Sequence, residues 1–220
     1  MVTLVNNFLK IILKKKCFRF ISKSILSFYL IFFTFSLYAG TQYEQAIQEP
    51  INQLHETLIN IMVISDTTSF EERYTYLEPV IKKNFDIALI SKVILGRYWK
   101  SIDEEIKVRF INLFNRLTIS TYISRFNSYD NQIFKNISIE QLKENRYLVK
   151  TEFIRLKEKP ISFNYIIQKN GKKWRIISVI ANGINDLSLK RAEYTAIIKK
   201  DGIDTLIKKL EQKIYDLQQN

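Results

Sequence analysis

The sequence predicts an α+β fold, with several helices packed against one curved antiparallel sheet of about four strands. Three observations predict it. Apolar residues recur at helical spacing through the first half of the chain, then switch after about residue 134 to the alternation of half-buried strands. The pair Asn170-Gly171 is a tight-turn signal that joins two of these strands into a hairpin. Helical spacing returns after Gly183. Helices segregated from an antiparallel meander in this way cover one face of the sheet.

The first 39 residues read as a secretory leader, and residues 40–220 as a single domain. The leader carries Lys10, Lys14, Lys15, Lys16, Arg19 and Lys23, and no acid precedes Glu44. An apolar run from Ile25 to Leu37 follows, closed by Tyr38-Ala39-Gly40. A basic stretch, a short apolar core and a small-residue exit form the signal-peptide pattern. The run is shorter than the roughly 20 apolar residues of a spanning helix. Cleavage near Ala39 and retention as an N-terminal anchor both place the rest of the chain outside the cytoplasm, and the expected location is the periplasm. Cys17 is the only cysteine and lies before the apolar run, so the domain has no disulfide and no cysteine metal site. The formal net charge is +12, and the six leader bases account for half of it. The remaining bases are spread along the domain, as on a solvated surface, which also suits approach to anionic membranes or acidic partners. They do not cluster as a nucleic-acid footprint.

The elements follow in order. Residues 43–63 place Ala46, Ile47, Ile51, Leu54, Leu58, Ile61 and Met62 on one helical stripe, with Pro50 positioned to kink or restart it. Asp66-Thr67-Thr68-Ser69 is a polar break that caps a second helix starting near Phe70, with Tyr74, Leu77, Val80 and Ile81 inward. A third helix is expected over Phe85–Leu95, opened or preceded by Phe85-Asp86 and ended by Gly96 as its cap. Ser101 or Asp103 caps a long helix whose stripe is Ile106, Phe110, Leu113, Phe114, Leu117, Thr121 and Phe126. A weak strand around Phe134–Ile139 precedes two alternating strands, around Tyr147–Ile154 and Ile161–Gln168, and the hairpin adds Lys173–Ile180. Asn185 and Asp186 offer caps for a helix over Leu187–Lys199, Asp201-Gly202 breaks it, and a last helix runs from Asp204 to about Leu217.

Catalytic chemistry is not visible. His55 is the only histidine and reads as a surface or partly buried helix residue. A Ser-His-Asp triad or a zinc site needs partners that this chain lacks. The acidic clusters Glu71-Glu72 and Asp103-Glu104-Glu105 sit in first helical turns, where negative charge favours the helix dipole. The chain is therefore read as a non-enzyme without cofactor or metal. Arg97, Tyr98 and Trp99 form either an interfacial aromatic patch or, with Trp99 folded inward, part of the core. The inward aromatics Tyr147, Phe153, Phe163, Tyr165 and Trp174 of the strands, with Phe110, Phe114 and Tyr122 of the long helix, read from the residues alone as packed core, because protein interiors hold few voids.

Two separated signatures add to this reading. The first is Phe85-Asp86, then Val93-Ile94-Leu95-Gly96-Arg97-Tyr98-Trp99, then a long helix ending in Thr121-Tyr122. The second is Gly183-Ile184, Arg191 and Asp201-Gly202-Ile203-Asp204-Thr205-Leu206-Ile207. In order and spacing they resemble the MlaC family, also labelled toluene-tolerance or ABC-transporter auxiliary proteins. The resemblance spans about residues 44–215. It implies a sheet and helices that enclose an apolar pocket for phospholipid acyl chains, with the head group near solvent and the lipid as cargo. The lining it implies here is Tyr147, Val149, Phe153, Phe163, Tyr165, Ile167, Ile176 and Ile180 of the strands, with Leu95, Phe114, Leu117 and Tyr122 of the helices. It also implies shuttling between inner and outer membranes of a periplasm, with an inner-membrane ABC transporter and its lipid-transfer ring protein as one partner and an outer-membrane lipoprotein–porin complex as the other. Ser178, Asn182 and Asn185 depart from the family pattern and remove acidic or small hydroxyl side chains near the expected mouth. A carrier of another apolar ligand such as a hopanoid, and a secreted adaptor with a solid core, are the competing readings.

Overall fold

The structure is a computed structural model that describes residues 42–219. The expected leader and its expected cleavage near Ala39 lie outside the described residues. One compact unit begins at Ala46.

The α+β class is as the sequence predicts. Helix α1 (42–63) runs through Pro50 rather than restarting there. Its buried face is Ile47, Ile51, Leu54, Leu58, Ile61 and Met62. Helix α2 (Phe70–Asn84) starts with a full capping box: the Ser69 hydroxyl accepts from Glu72 N–H, and the Glu72 carboxylate accepts from Ser69 N–H at 2.7 Å. Helix α3 is Ile87–Leu95 and is followed by a 3₁₀ turn, Gly96–Lys100. Helix α4 (Glu104–Arg125) packs against α2, α3 and α6. It therefore buries Ile119 and Ile123 as well as Phe110, Leu113, Phe114 and Leu117 of the predicted stripe, while Ile106 and Thr121 of that stripe are half-buried. Helices α5 (Asp186–Asp201) and α6 (Ile203–Gln219) close the chain, separated by Gly202 at φ 83°. α6 seats Leu206, Ile207, Leu210 and Ile214 in the core.

The sheet is one antiparallel meander in the order β1-β2-β3-β4-β5, and it is not closed. Its strands are β1 (Ile133–Lys143), β2 (Arg146–Ile154), β3 (Ile161–Asn170), β4 (Lys173–Ala181) and a two-residue β5 (Ile184–Asn185). β5 was not expected. It is too short to show an alternation.

Three local features differ from the sequence reading. Phe85 is not helical: it is extended and forms a parallel bridge to Ile176, while Asp86 N–H donates to the Ile176 carbonyl at 3.0 Å. Asp86 then caps α3 by accepting from Leu89 N–H at 3.1 Å, and its other oxygen accepts from Asn170 Nδ2 at 2.9 Å. The Phe85-Asp86 pair thus pins the start of α3 to β4 and to the hairpin turn. Second, β4 carries an extra residue: Ile166 pairs with Ser178 and Ile167 with Ile176, which leaves Ile177 as a bulge. Beyond a bulge the alternation of faces inverts. Third, His55 is buried, only 6% exposed, rather than at the surface or partly buried.

The two signatures meet in space. Gly96, at φ 56°, lies against Arg191 of α5; a β-carbon there would sit 3.2 Å from the Arg191 guanidinium. A side chain at Gly96 would face both the left-handed backbone and this contact. Trp99 packs on the core, with the Lys107 ammonium over its ring.

Candidate functional site

A cavity opens where α3, α4 and α5 meet the end of β4. From α3 it takes Ile87, Ile90 and Ile94, three successive positions of one helical face. From α4 it takes Phe114, Leu117, Thr118, Thr121, Tyr122 and Arg125. The hydroxyls of Thr118 and Thr121 donate to the carbonyls of Phe114 and Leu117 at 2.8 and 2.7 Å, so they are occupied within their own helix. The strands supply Phe163, Ile177, Ser178, Val179 and Ala181, and α5 supplies Asp186, Leu187 and Lys190. Phe85 and Phe126 complete the wall.

Rings dominate one side. Phe126 stands 5.9 Å from Tyr122, 5.5 Å from Phe153 and 6.2 Å from Phe163, and Phe85 meets Tyr122 edge-on at 6.2 Å. The cavity volume is about 100 Å³. That is smaller than the ~150 Å³ cavity that admits one benzene. In this structure the pocket is narrow.

The polar groups are few and mostly satisfied. Ser178 Oγ donates to Asn185 Oδ1 at 3.1 Å, and the same oxygen caps α5 by accepting from Ser188 N–H at 3.1 Å. Asp186 and Lys190 form an i,i+4 ion pair at 2.9 Å. An acid therefore does stand at the cavity although Ser178, Asn182 and Asn185 depart from the family pattern. Burial pushes the Tyr122 phenol up, and the charge of Asp186 adds to the shift while Arg125 opposes it. Among the described residues no group of three or more His, Cys, Asp or Glu is placed to hold a metal, and no helix is long and apolar enough to cross a membrane.

Of the twelve expected lining residues, the structure brings Phe114, Leu117, Tyr122 and Phe163 to the cavity. The other eight are elsewhere. Ile180 lies on the opposite face, because the Ile177 bulge turns Val179 and Ala181 inward in its place. Leu95, Val149, Tyr165, Ile167 and Ile176 are fully buried core. Tyr147 packs edge-on against Trp174 at 5.5 Å. Phe153 stands behind the wall formed by Phe126 and Phe163. The lining of α3 was legible as an apolar helical face. That of α5 was not, because its residues mix acid, base and leucine.

Comparison with known proteins agrees with the fold. The structure superposes on the phospholipid-binding protein from Ralstonia solanacearum, solved in complex with a phospholipid, with a TM-score of 0.69 and 16% identity over 78% of this chain and 96% of that one. At that identity the likeness is one of fold. The chain is 24% identical over 145 residues to the "Intermembrane phospholipid transport system binding protein MlaC" of Haemophilus influenzae, covering 62% of this chain and 68% of the relative. The family model described as MlaC protein matches residues 52–212, and the chain belongs to that family.

Proposed function

We propose that this protein is a periplasmic phospholipid carrier that buries acyl chains in the cavity between α3, α4, α5 and β4 and leaves the head group at its mouth. The observation that carries the reading is the cavity itself: an apolar, ring-walled space that the helices and sheet leave unfilled, with its charged lining among the described residues restricted to Arg125, Asp186 and Lys190. The names of its relatives support the cargo.

The physics of such a carrier is simple. Each methylene held in water costs about 0.8 kcal/mol, so two chains of ordinary length cost on the order of 20 kcal/mol. A protein that shields them removes this barrier with no covalent step, and no nucleophile is required. A cavity of about 100 Å³ must widen to receive an acyl chain. The wall of Phe126, Phe163 and Tyr122 is where that movement belongs, because rings can rotate without breaking backbone hydrogen bonds. Export through the N-terminal leader and handover to an inner-membrane ABC transporter with its lipid-transfer ring protein, and to an outer-membrane lipoprotein–porin complex, complete the proposal.

The narrowness of the cavity favours one rival, a secreted adaptor with a solid core. Native mass spectrometry of the protein purified without detergent from a bacterial periplasm separates the two. A mass increment of one diacyl phospholipid is expected. Bare protein that also takes no fluorescent phospholipid from vesicles would overturn the phospholipid carrier and put the adaptor in the lead.

A further inference from the structure

Among the described residues that line the cavity, three have charged side chains: Arg125, Asp186 and Lys190. They come from two helices that border the same cavity, the last turn of α4 and the first two turns of α5. Arg125 is exposed, and the Asp186 side chain is 48% exposed. Lys190 is different, with only 18% of its side chain exposed. Its stem lies along the apolar lining and its ammonium is held by Asp186 at 2.9 Å. An ammonium has three donors, so Lys190 keeps donors for a ligand. The Arg125 guanidinium is in no ion pair among the described residues. The three charges sum to one positive charge, facing an apolar interior.

We propose that Arg125 and Lys190 bind the phosphodiester of a glycerophospholipid at the mouth of the cavity, with Asp186 as the positioning residue that holds Lys190 in place. This rests on the carrier reading and adds to it a head-group contact, so that the cargo is selected by its phosphate as well as by its chains. One phosphodiester charge neutralises the mouth. The planar guanidinium suits two phosphate oxygens at once, and the ammonium supplies a point charge beside it. The N-terminus of α5 adds favourable potential from the same side.

The test is competition between dioleoyl phosphatidylglycerol and dioleoylglycerol, which share chains and differ in the charged phosphoglycerol head group, for the lipid-stripped protein. The wild type is expected to prefer the phospholipid by about tenfold, the worth of a charge-assisted contact. In the Arg125→Ala/Lys190→Ala double variant, and in the milder Arg125→Gln/Lys190→Gln, that ratio is expected to fall to near one. Lys199→Ala, far along α5, is expected to keep it. Circular dichroism verifies that each variant folds. Equal uptake of both lipids by the wild type, or an unchanged ratio in both double variants, overturns the phosphate contact and leaves the carrier standing. Uptake of neither lipid overturns the carrier. Binding of millimolar inorganic phosphate that both double variants lose, with no preference between the lipids, reassigns the site to free phosphate and overturns the head-group proposal.

Discussion

The helix-covered face of the sheet is closed at one end and open at the other, although both ends are built from the same kinds of residue. Beneath α1 the fit is tight. His55 stacks on Phe134 with ring centres 3.8 Å apart, its Nε2 lies 2.9 Å from the Tyr165 hydroxyl, and Leu54, Leu58, Val149 and Tyr165 are fully buried. Around the end of β4, isoleucine, leucine and phenylalanine side chains from three helices and the bulged strand leave a space with a charged rim. What differs is how the elements meet. One helix lies over β1–β3 and its side chains fill the interval, whereas α3, α4 and α5 converge around the bulge and do not fill their centre. An apolar pocket is thus a property of the joint between elements, and the aromatic content of each element does not report it.

The largest expected contrast is in stability at the closed end. Tyr165→Ala removes a ring that is 0% exposed and leaves His55 without its partner. It should cost about 4 kcal/mol in urea unfolding. A loss under about 1 kcal/mol would mean that this end is as loosely filled as the other.

A smaller effect comes from the same histidine. Burial pushes His55 down from 6.5 to about 3. The unfolded chain therefore takes up the proton in a range where the folded protein refuses it. Stability is fully present above about pH 6.5 and falls as pH drops toward 3. Between pH 7 and pH 5 the expected loss is about 2 kcal/mol. His55→Gln should flatten that slope; an unchanged slope in the variant would assign the acid sensitivity to other groups.

The smallest effect tests the open end. Ala181 lines the cavity, so Ala181→Phe should fill space rather than displace packed atoms. Stability is expected to change by less than about 1.5 kcal/mol, while phospholipid uptake falls at least about tenfold, equivalent to about 1.4 kcal/mol. A collapse in stability with uptake retained would place the lipid elsewhere and make the two ends alike.

Much of this molecule is legible in its amino-acid sequence. Helical stripes, capping residues such as Ser69 and Asn185, the Asn170-Gly171 turn and the alternation of β2 and β3 are local signals. They rest on the fixed periods of helix and strand and on backbone groups within a few residues of one another. Tertiary structure alone decided the rest. The Ile177 bulge exchanged Ile180 for Val179 and Ala181, a change of face that needs the register of β3 to appear. His55 became buried because Phe134 and Tyr165, distant in sequence, arrived beside it. The charges came together because Arg125 of α4 and Asp186 and Lys190 of α5 border the same cavity. The kind and order of the elements are local properties of the chain, whereas a cavity is the space that distant elements fail to fill, and it exists only once they have met.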